Sequence, residues 1–244
     1  MMKVKLLNED AALSSVRIAI EAALTCTGNE ADIDSKEERA FLLKIIDKGH
    51  ESVLEHINLT FRVDGISRAL LQELARHRHI SLSVRSTRFT LLKSLSDGQE
   101  VPLKKTLRDV ESILYNGAHS LGDDAQVINE GIPIVAQMAY DVASLLTALS
   151  SIPKISPLSV PDFLKYFLPE CLPTSLVMTC NARELRHIFK LRSKPEAFLE
   201  FRRLVNALFK ALPTPMRYLF CDVLDVGVLS LPTSDFYNDD ASSS

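Results

Sequence analysis

The sequence predicts a mixed α/β (α+β) fold, because short strand patterns are interspersed with helical patterns along its 244 residues. Apolar and polar residues alternate over 57–63, as in a half-buried strand, and a shorter strand pattern spans 3–7. Over 11–24, leucine, valine and isoleucine recur near helical spacing. The content of 46% hydrophobic and 24% charged residues is typical of a globular protein with a core. The length suits one large domain or two small ones, and we expect a disordered acidic tail over 234–244.

Capping residues and turn signals delimit the next elements of the N-terminal half. A capping-box pattern precedes a helix that Gly49 ends. Ser67 is suited to cap a further helix that carries its apolar residues into Arg76. We expect this helix to break around 81–83 and a strand to follow over 86–90.

The second half of the chain begins with helical patterns and returns to a strand. Asn181 resembles an N-cap, with an acid three residues later, and opens a helix that runs through Arg192. Pro195 is expected to start the last long helix. Before Asn181 we expect helices over 104–121 and 123–150, a connector over 151–161, a short helix over 162–167 and a buried strand over 174–179.

Composition excludes several classes of protein. The net charge of −3 disfavours a general nucleic-acid coat, so we expect no nucleic-acid partner. Neither GxGxxG nor GxxxxGK[ST] occurs, so a dinucleotide would be bound without a Rossmann turn or a P-loop. The four cysteines lack CxxC spacing, which favours buried free thiols over a metal site and indicates a reducing compartment. With no signal sequence or membrane span apparent, we expect a cytoplasmic protein that does not contact a membrane.

The most unusual stretch is residues 76–88, RHRHISLSVRSTR, which holds four arginines and two histidines. A guanidinium fork binds phosphate or carboxylate well, so the cluster is suited to an anionic ligand. Salt bridges or a solvated basic face would also explain it. Cations at the C-terminal end of a helix are stabilised by the helix dipole, which is a further structural explanation.

Within this cluster, Arg76-His77-Arg78, then seven intervening residues, then Ser86 resembles the signature of the flavin-dependent thymidylate synthases. Enzymes of this family methylate dUMP using FAD, reduced nicotinamide and methylenetetrahydrofolate. Two more blocks resemble the same family: 50–61, and 165–200 with its K-x-x-L-P, N-A-R-E-L and L-R segments. The resemblance implies a single domain over 1–233 with a largely antiparallel sheet flanked by helices. It also implies assembly as a homotetramer with sites shared between subunits.

The resemblance also implies roles for individual residues. Arg192 is the expected catalytic residue, which would orient the uracil and stabilise its ionised form. No cysteine nucleophile is expected, because hydride from the reduced flavin completes the methyl group. NADPH and methylenetetrahydrofolate are the expected cosubstrates. The residues expected to bind FAD are Ser52, Glu55, Arg76, His77, Arg78, Asn181, Arg183 and His187; those expected to bind dUMP are Glu73, Arg85, Ser86, Thr87, Arg88, Lys165 and Arg192.

Three positions depart from the family pattern. Val84 replaces a polar residue, Glu73 stands where glutamine is common, and His187 stands where asparagine is usual. A carboxylate at Glu73 would repel a phosphate unless it pairs with an arginine or faces the sugar. These departures leave open a degenerate or noncatalytic nucleotide-binding or RNA-binding protein. Such a protein would be expected to interleave aromatic residues with its arginines, and only Phe89 stands beside the cluster.

Overall fold

A computed structural model of the protein describes residues 2–28, 33–34, 37–86, 134, 137, 140–141, 144 and 170–231. In the N-terminal part, two helices follow the first strand, and a 3-10 helix leads into the second strand. The elements there are β1 (Lys3–Leu6), α1 (Glu9–Thr27), α2 (Glu38–Asp47), a 3-10 helix (Glu51–His56), β2 (Asn58–Ser67), α3 (Arg68–Ala75) and β3 (Ile80–Val84).

The C-terminal part supplies a long strand, two helices and a series of 3-10 turns. These are β4 (Pro173–Asn181), α4 (Ala182–Arg192), α5 (Leu199–Ala211) and 3-10 turns at Thr214–Leu219, Cys221–Val223 and Val226–Ser230. The strands and helices predicted near 3–7, 11–24, 57–63 and 174–179 are thereby confirmed. The elements predicted within 104–167 and the tail over 234–244 lie outside the described residues, apart from five helical positions between 134 and 144.

Within the described residues, the four strands form one antiparallel sheet in the order β1-β2-β4-β3. The two central strands place Phe61 opposite Met178, and both side chains are fully buried. Burial alternates residue by residue along β4, as expected for a strand with one face in the core. The predicted α+β class with an antiparallel sheet and flanking helices is therefore confirmed.

The helices of the C-terminal part cover the sheet and complete the core. α4 packs against β4, and α5 packs against β1. Phe189 on α4 and Phe201 on α5 are fully buried, and burying a side chain of this size contributes roughly 1.5–3 kcal/mol. The face of α4 that carries Phe189 packs in the core, so the opposite face of α4 is exposed to solvent.

The corner between α3 and β3 differs from the prediction. The helix ends at Ala75, and the backbone enters β3 at Ile80, so the expected helix break at 81–83 is wrong. Ser81 and Ser83 instead pair with Thr179 and Val177 of β4, because the alternating segment completes its backbone hydrogen bonds on the open edge of that strand. The first residues of the arginine cluster consequently lie in a tight turn.

The start of the last long helix also differs. Pro195 lies in a turn closed by a hydrogen bond from the Ala197 N–H to the Lys194 carbonyl, and α5 begins only at Leu199. A proline ring fits a turn as well as a first helical turn, so the residue alone does not distinguish the two.

The predicted cap at Ser67 is present and connects α3 to α5. The Ser67 hydroxyl accepts a hydrogen bond from the Leu70 N–H at 2.9 Å and donates one to Glu200 at 2.5 Å. Glu200 also accepts from the Ser67 N–H at 2.8 Å. Desolvation outweighs these hydrogen bonds and raises the pKa of the Glu200 carboxyl.

We predict that Glu200→Gln will change how stability depends on pH. A carboxyl with a raised folded-state pKa stabilises the folded state when protonated, and this contribution is lost as pH rises from the ordinary 4.5 through the folded pKa. Urea unfolding from pH 7 down to pH 4.5 should therefore show the wild type gaining stability relative to the variant. A difference that stays constant over this range would contradict the prediction.

Candidate active site

An open cleft of about 580 Å³ runs along the outer face of α4. Arg183, His187 and Lys190 recur at helical spacing and so share this face. The opposite side of the cleft comes from the 3-10 helix before β2, from the turn before β3 and from the 3-10 turn at Cys221–Val223. The lining residues are Glu51, Glu55, His79, Asn181, Arg183, Glu184, Arg186, His187, Lys190 and Val223.

Two residues at the mouth of the cleft form an ion pair. Arg183 Nη1 lies 2.5 Å from Glu55 Oε1, and each side chain is about half exposed. Exposed ion pairs contribute little to stability because water screens them, so an anionic ligand could displace Glu55 from Arg183 at small cost. Both residues belong to the set that the family resemblance assigns to FAD.

Asn181 caps α4, as predicted. Its Oδ1 accepts a hydrogen bond from the Glu184 N–H at 2.8 Å. A capping oxygen of this kind satisfies one of the backbone donors that the first helical turn leaves without a partner. Asn181 also lines the cleft, so the cap places a side-chain amide where the N-terminal end of α4 meets the cleft.

Arg186 lies beneath the cleft and joins three segments. It is buried, and its guanidinium binds both oxygens of Asp222 at 2.7 Å and Oε1 of Glu51 at 2.9 Å. It also donates to the Leu219 carbonyl. The Arg186 hydrogen bond holds the pKa of the Asp222 carboxyl below its ordinary value. This arginine therefore ties the 3-10 helix at Glu51 and the C-terminal 3-10 turns to α4.

A second cluster lies at the C-terminal end of α4 and centres on Glu73. One oxygen of Glu73 binds Arg76 Nη1 at 3.3 Å, and the other binds Arg192 Nη1 at 3.2 Å. Arg192 also stacks on Phe201, with 4.8 Å from its guanidinium carbon to the ring centroid. The acid at position 73, which would otherwise repel a phosphate, is thus neutralised by two arginines.

His77 is buried and joins the Glu73 cluster to the wall of the cleft. Its Nδ1 is 3.3 Å from Glu184 Oε1, and its Nε2 accepts a hydrogen bond from Arg192 Nε at 3.3 Å. Its ring also packs edge-on against Phe201, with 5.8 Å between the ring centroids. Burial and the charge of Arg192 lower the pKa of His77, although Glu184 opposes this effect. The imidazole is therefore held between protein groups and lies away from solvent.

The structure brings some of the predicted site residues together and leaves others apart. Glu55, Asn181, Arg183 and His187 line the cleft, while Glu73, Arg76, His77 and Arg192 form the second cluster. Ser52 is exposed on the 3-10 helix, and Arg78, Arg85 and Ser86 are exposed near β3. Thr87, Arg88 and Lys165 lie outside the described residues.

The sequence reasoning missed several cleft residues, namely Glu51, His79, Glu184, Arg186 and Lys190. The positions 183, 186, 187 and 190 form a basic stripe on one face of the predicted helix, and this stripe was a usable signal. Glu51 and Glu184 carried no such signal, because their importance depends on contacts with residues more than 100 positions away.

Comparison with known proteins identifies the family. Residues 8–214 match the family described as thymidylate synthase complementing protein, and a flavin-dependent thymidylate synthase from Campylobacter jejuni is 36% identical over 207 residues. The chain belongs to the flavin-dependent thymidylate synthase family. That alignment covers 83% of this chain and 90% of the relative. The resemblance based on the three sequence blocks is thereby confirmed.

Further relatives of the flavin-dependent thymidylate synthase family agree in extent and in fold. The enzyme of that name from Wolinella succinogenes is 36% identical over 214 residues, which cover 85% of this chain and 94% of the relative. Thymidylate synthase X from Helicobacter pylori, solved with FAD and dUMP, superposes with a TM-score of 0.64 at 28% identity. That match covers 92% of this chain and 100% of the other.

No helix among the residues that the structure describes is long and apolar enough to span a membrane.

Proposed function

We propose that this protein catalyses the FAD-dependent reductive methylation of dUMP to dTMP. The observation that carries this function is the pair of cationic sites at the two ends of α4. Arg183 lies in the cleft at one end, and Arg192 lies in the Glu73 cluster at the other. We assign the flavin dinucleotide to the first of these sites and the nucleotide monophosphate to the second.

The cleft residues fit FAD in their chemistry. Glu51 is paired with the cationic guanidinium of Arg186, which offsets its repulsion of a diphosphate, and Glu184 contacts His77. Arg183 and Lys190 then supply cationic donors that suit its oxygens. With them we assign Ser52, Glu55, Arg76, Arg78, Asn181 and His187 to this cofactor. When bound, the flavin supplies the hydride that completes the methyl group.

Arg192 is the residue to which we assign dUMP activation. A guanidinium near the pyrimidine stabilises negative charge that develops on the ring, without itself transferring a proton. Its partner Glu73 pairs with Arg76 as well, so this cluster of two arginines and one glutamate keeps a net positive charge that attracts the nucleotide phosphate. We assign Arg85, Ser86, Thr87, Arg88 and Lys165 to the same substrate.

The remaining components follow from family membership. NADPH would reduce the flavin, and methylenetetrahydrofolate would supply the carbon. A homotetramer with sites shared between subunits, acting in the cytoplasm, completes the proposal. The cofactor assignment is supported by the crystal structure of the Helicobacter pylori relative, which holds FAD and dUMP.

Absorbance spectroscopy and NADPH oxidation test the proposal together. Purified protein should show the yellow flavin spectrum, alone or after FAD is added, and should oxidise NADPH faster once dUMP is present. Product analysis with methylenetetrahydrofolate should then show dTMP. Colourless protein that is indifferent to both FAD and dUMP would overturn the enzyme function, and binding of dUMP without turnover would instead support the noncatalytic alternative.

A variant without cysteine is expected to keep measurable turnover. All four cysteines are free; Cys180 is buried, and burial raises the pKa of its thiol to about 12. Cys26 and Cys221 are exposed, so the expectation of buried thiols is wrong for these two, but neither lines the cleft. Steady-state dTMP formation by the variant with serine at exposed sites and alanine at the others should stay within about tenfold of wild type. Complete loss of activity on removing one exposed thiol would indicate a covalent mechanism.

A further inference from the structure

A buried line of polar contacts connects the cleft wall to Arg192. Glu184 lines the cleft and contacts Nδ1 of His77. Nε2 of the same ring accepts from Arg192 Nε, and Arg192 Nη1 binds Glu73. The ring of His77 is thus placed between a carboxylate of the first site and the guanidinium of the second.

The partners of His77 determine its tautomer. A guanidinium has only donors, so the nitrogen that faces Arg192 must carry a lone pair. The proton of the neutral ring then lies on Nδ1 and is donated to Glu184. In the described part of the chain, the charged and titratable groups acting on His77 are Arg192, Glu184 and His187, all on α4, while α5 presents the apolar ring of Phe201. This environment favours the neutral ring.

Arg192 is held at three points by these contacts. His77 binds its Nε, Glu73 binds its Nη1, and Phe201 supports the face of the guanidinium. Among the described residues none accepts a hydrogen bond from Nη2, and we assign that edge to an oxygen of the ligand. A long side chain without such support samples several rotamers. A ligand that binds it must then restrict the side chain to one rotamer, and the lost conformational entropy weakens binding.

We propose that His77 is a positioning residue that orients Arg192 toward dUMP, and that Glu184 holds the imidazole in the tautomer this requires. The inference rests on the proposed function, since it takes Arg192 as the group that meets the pyrimidine. It assigns His77 to the substrate side of the site, through Arg192, in place of direct contact with FAD.

Equilibrium binding of dUMP to the FAD-loaded protein, measured by titration calorimetry, tests this role. His77→Phe keeps a ring beside Phe201 but removes the acceptor, so the dUMP Kd should rise about 10-fold to 100-fold. His77→Gln keeps an acceptor near the position of Nε2 and should restore most of the affinity. His77→Asn reaches only the position of Nδ1 and should resemble His77→Phe. FAD affinity, measured by flavin fluorescence, should stay close to wild type in all three.

A double-mutant cycle with Arg192→Lys separates positioning from general damage. Lysine has no Nε donor, so adding His77→Phe to Arg192→Lys should weaken dUMP binding by no more than about threefold. The control His56→Phe changes an exposed histidine outside the cleft and should leave both affinities unchanged. The inference would be overturned if His77→Phe lowered dUMP affinity equally in the wild-type and Arg192→Lys proteins. An unchanged dUMP Kd in His77→Phe would also overturn it, as would a fall in FAD affinity equal to the fall in dUMP affinity.

Failure of the proposed function gives a different result. Wild-type protein that binds FAD but no dUMP would overturn the function and this inference with it. Wild-type protein that binds both, with His77→Phe and His77→Asn binding dUMP normally, would overturn the inference alone. Should His77→Phe not fold, the comparison of His77→Gln with His77→Asn decides the matter, because the two amides differ in which ring nitrogen they can replace.

Discussion

Arg192→Ala is expected to lower kcat/KM for dTMP formation by at least about 1000-fold while the folded structure and FAD binding persist. The substitution removes the guanidinium assigned to the developing charge on the pyrimidine. The fold should tolerate it, because the side chain retains some solvent access and Glu73 keeps Arg76 as a partner. Steady-state kinetics, the flavin spectrum and a thermal melt measure the three quantities separately.

Two further variants show whether this loss comes from the missing guanidinium. Arg192→Lys retains the charge but loses the planar fork and the Nε donor to His77, so its activity should fall between those of wild type and alanine. Glu73→Gln in the Arg192→Ala background removes a carboxylate that has lost one arginine. If this second change restored kcat/KM to within tenfold of wild type, the loss in Arg192→Ala would come from the unpaired charge of Glu73. That result would contradict the catalytic assignment of Arg192.

Arg186→Met is expected to lower the free energy of unfolding by about 3 kcal/mol, because it removes a buried cation that Glu51, Asp222 and the Leu219 carbonyl share. This is the low end of the cost of breaking a buried ion pair, since both carboxylates keep access to water. The melting temperature should fall by roughly 6 to 12 °C. FAD affinity should fall as well, because two walls of the cleft lose their connection to α4.

The matched control for Arg186→Met is Arg62→Met. Arg62 pairs with Asp64 at 2.8 Å, but this pair is exposed on β2, so its loss should leave the melting temperature nearly unchanged. Arg186→Lys should recover only part of the stability, because a single ammonium cannot reproduce the paired contacts to Asp222. Equal melting temperatures for Arg186→Met and Arg62→Met would contradict the structural role of Arg186.

Local signals predicted the elements on which the site is built. The alternation over 57–63 indicated β2, and the capping residues Ser67 and Asn181 marked the starts of α3 and α4. These signals work because a cap or an alternating face is set by residues a few positions apart. The α3 to β3 corner was placed wrongly, since Ser81 and Ser83 are held in a strand by β4, a partner about 100 residues later in the chain.

The sequence by itself determined the family, the antiparallel α+β class that the resemblance implied, and the set of arginines and histidines available for anionic ligands. Only the tertiary structure decided how these groups are paired. It showed that Glu73 is neutralised by Arg76 and Arg192, that Arg186 is a buried support for the cleft, and that His77 faces Arg192. The physical reason is that a charged side chain takes its partner, its exposure and its pKa from residues distant in sequence, and only packing of the sheet and helices brings these together.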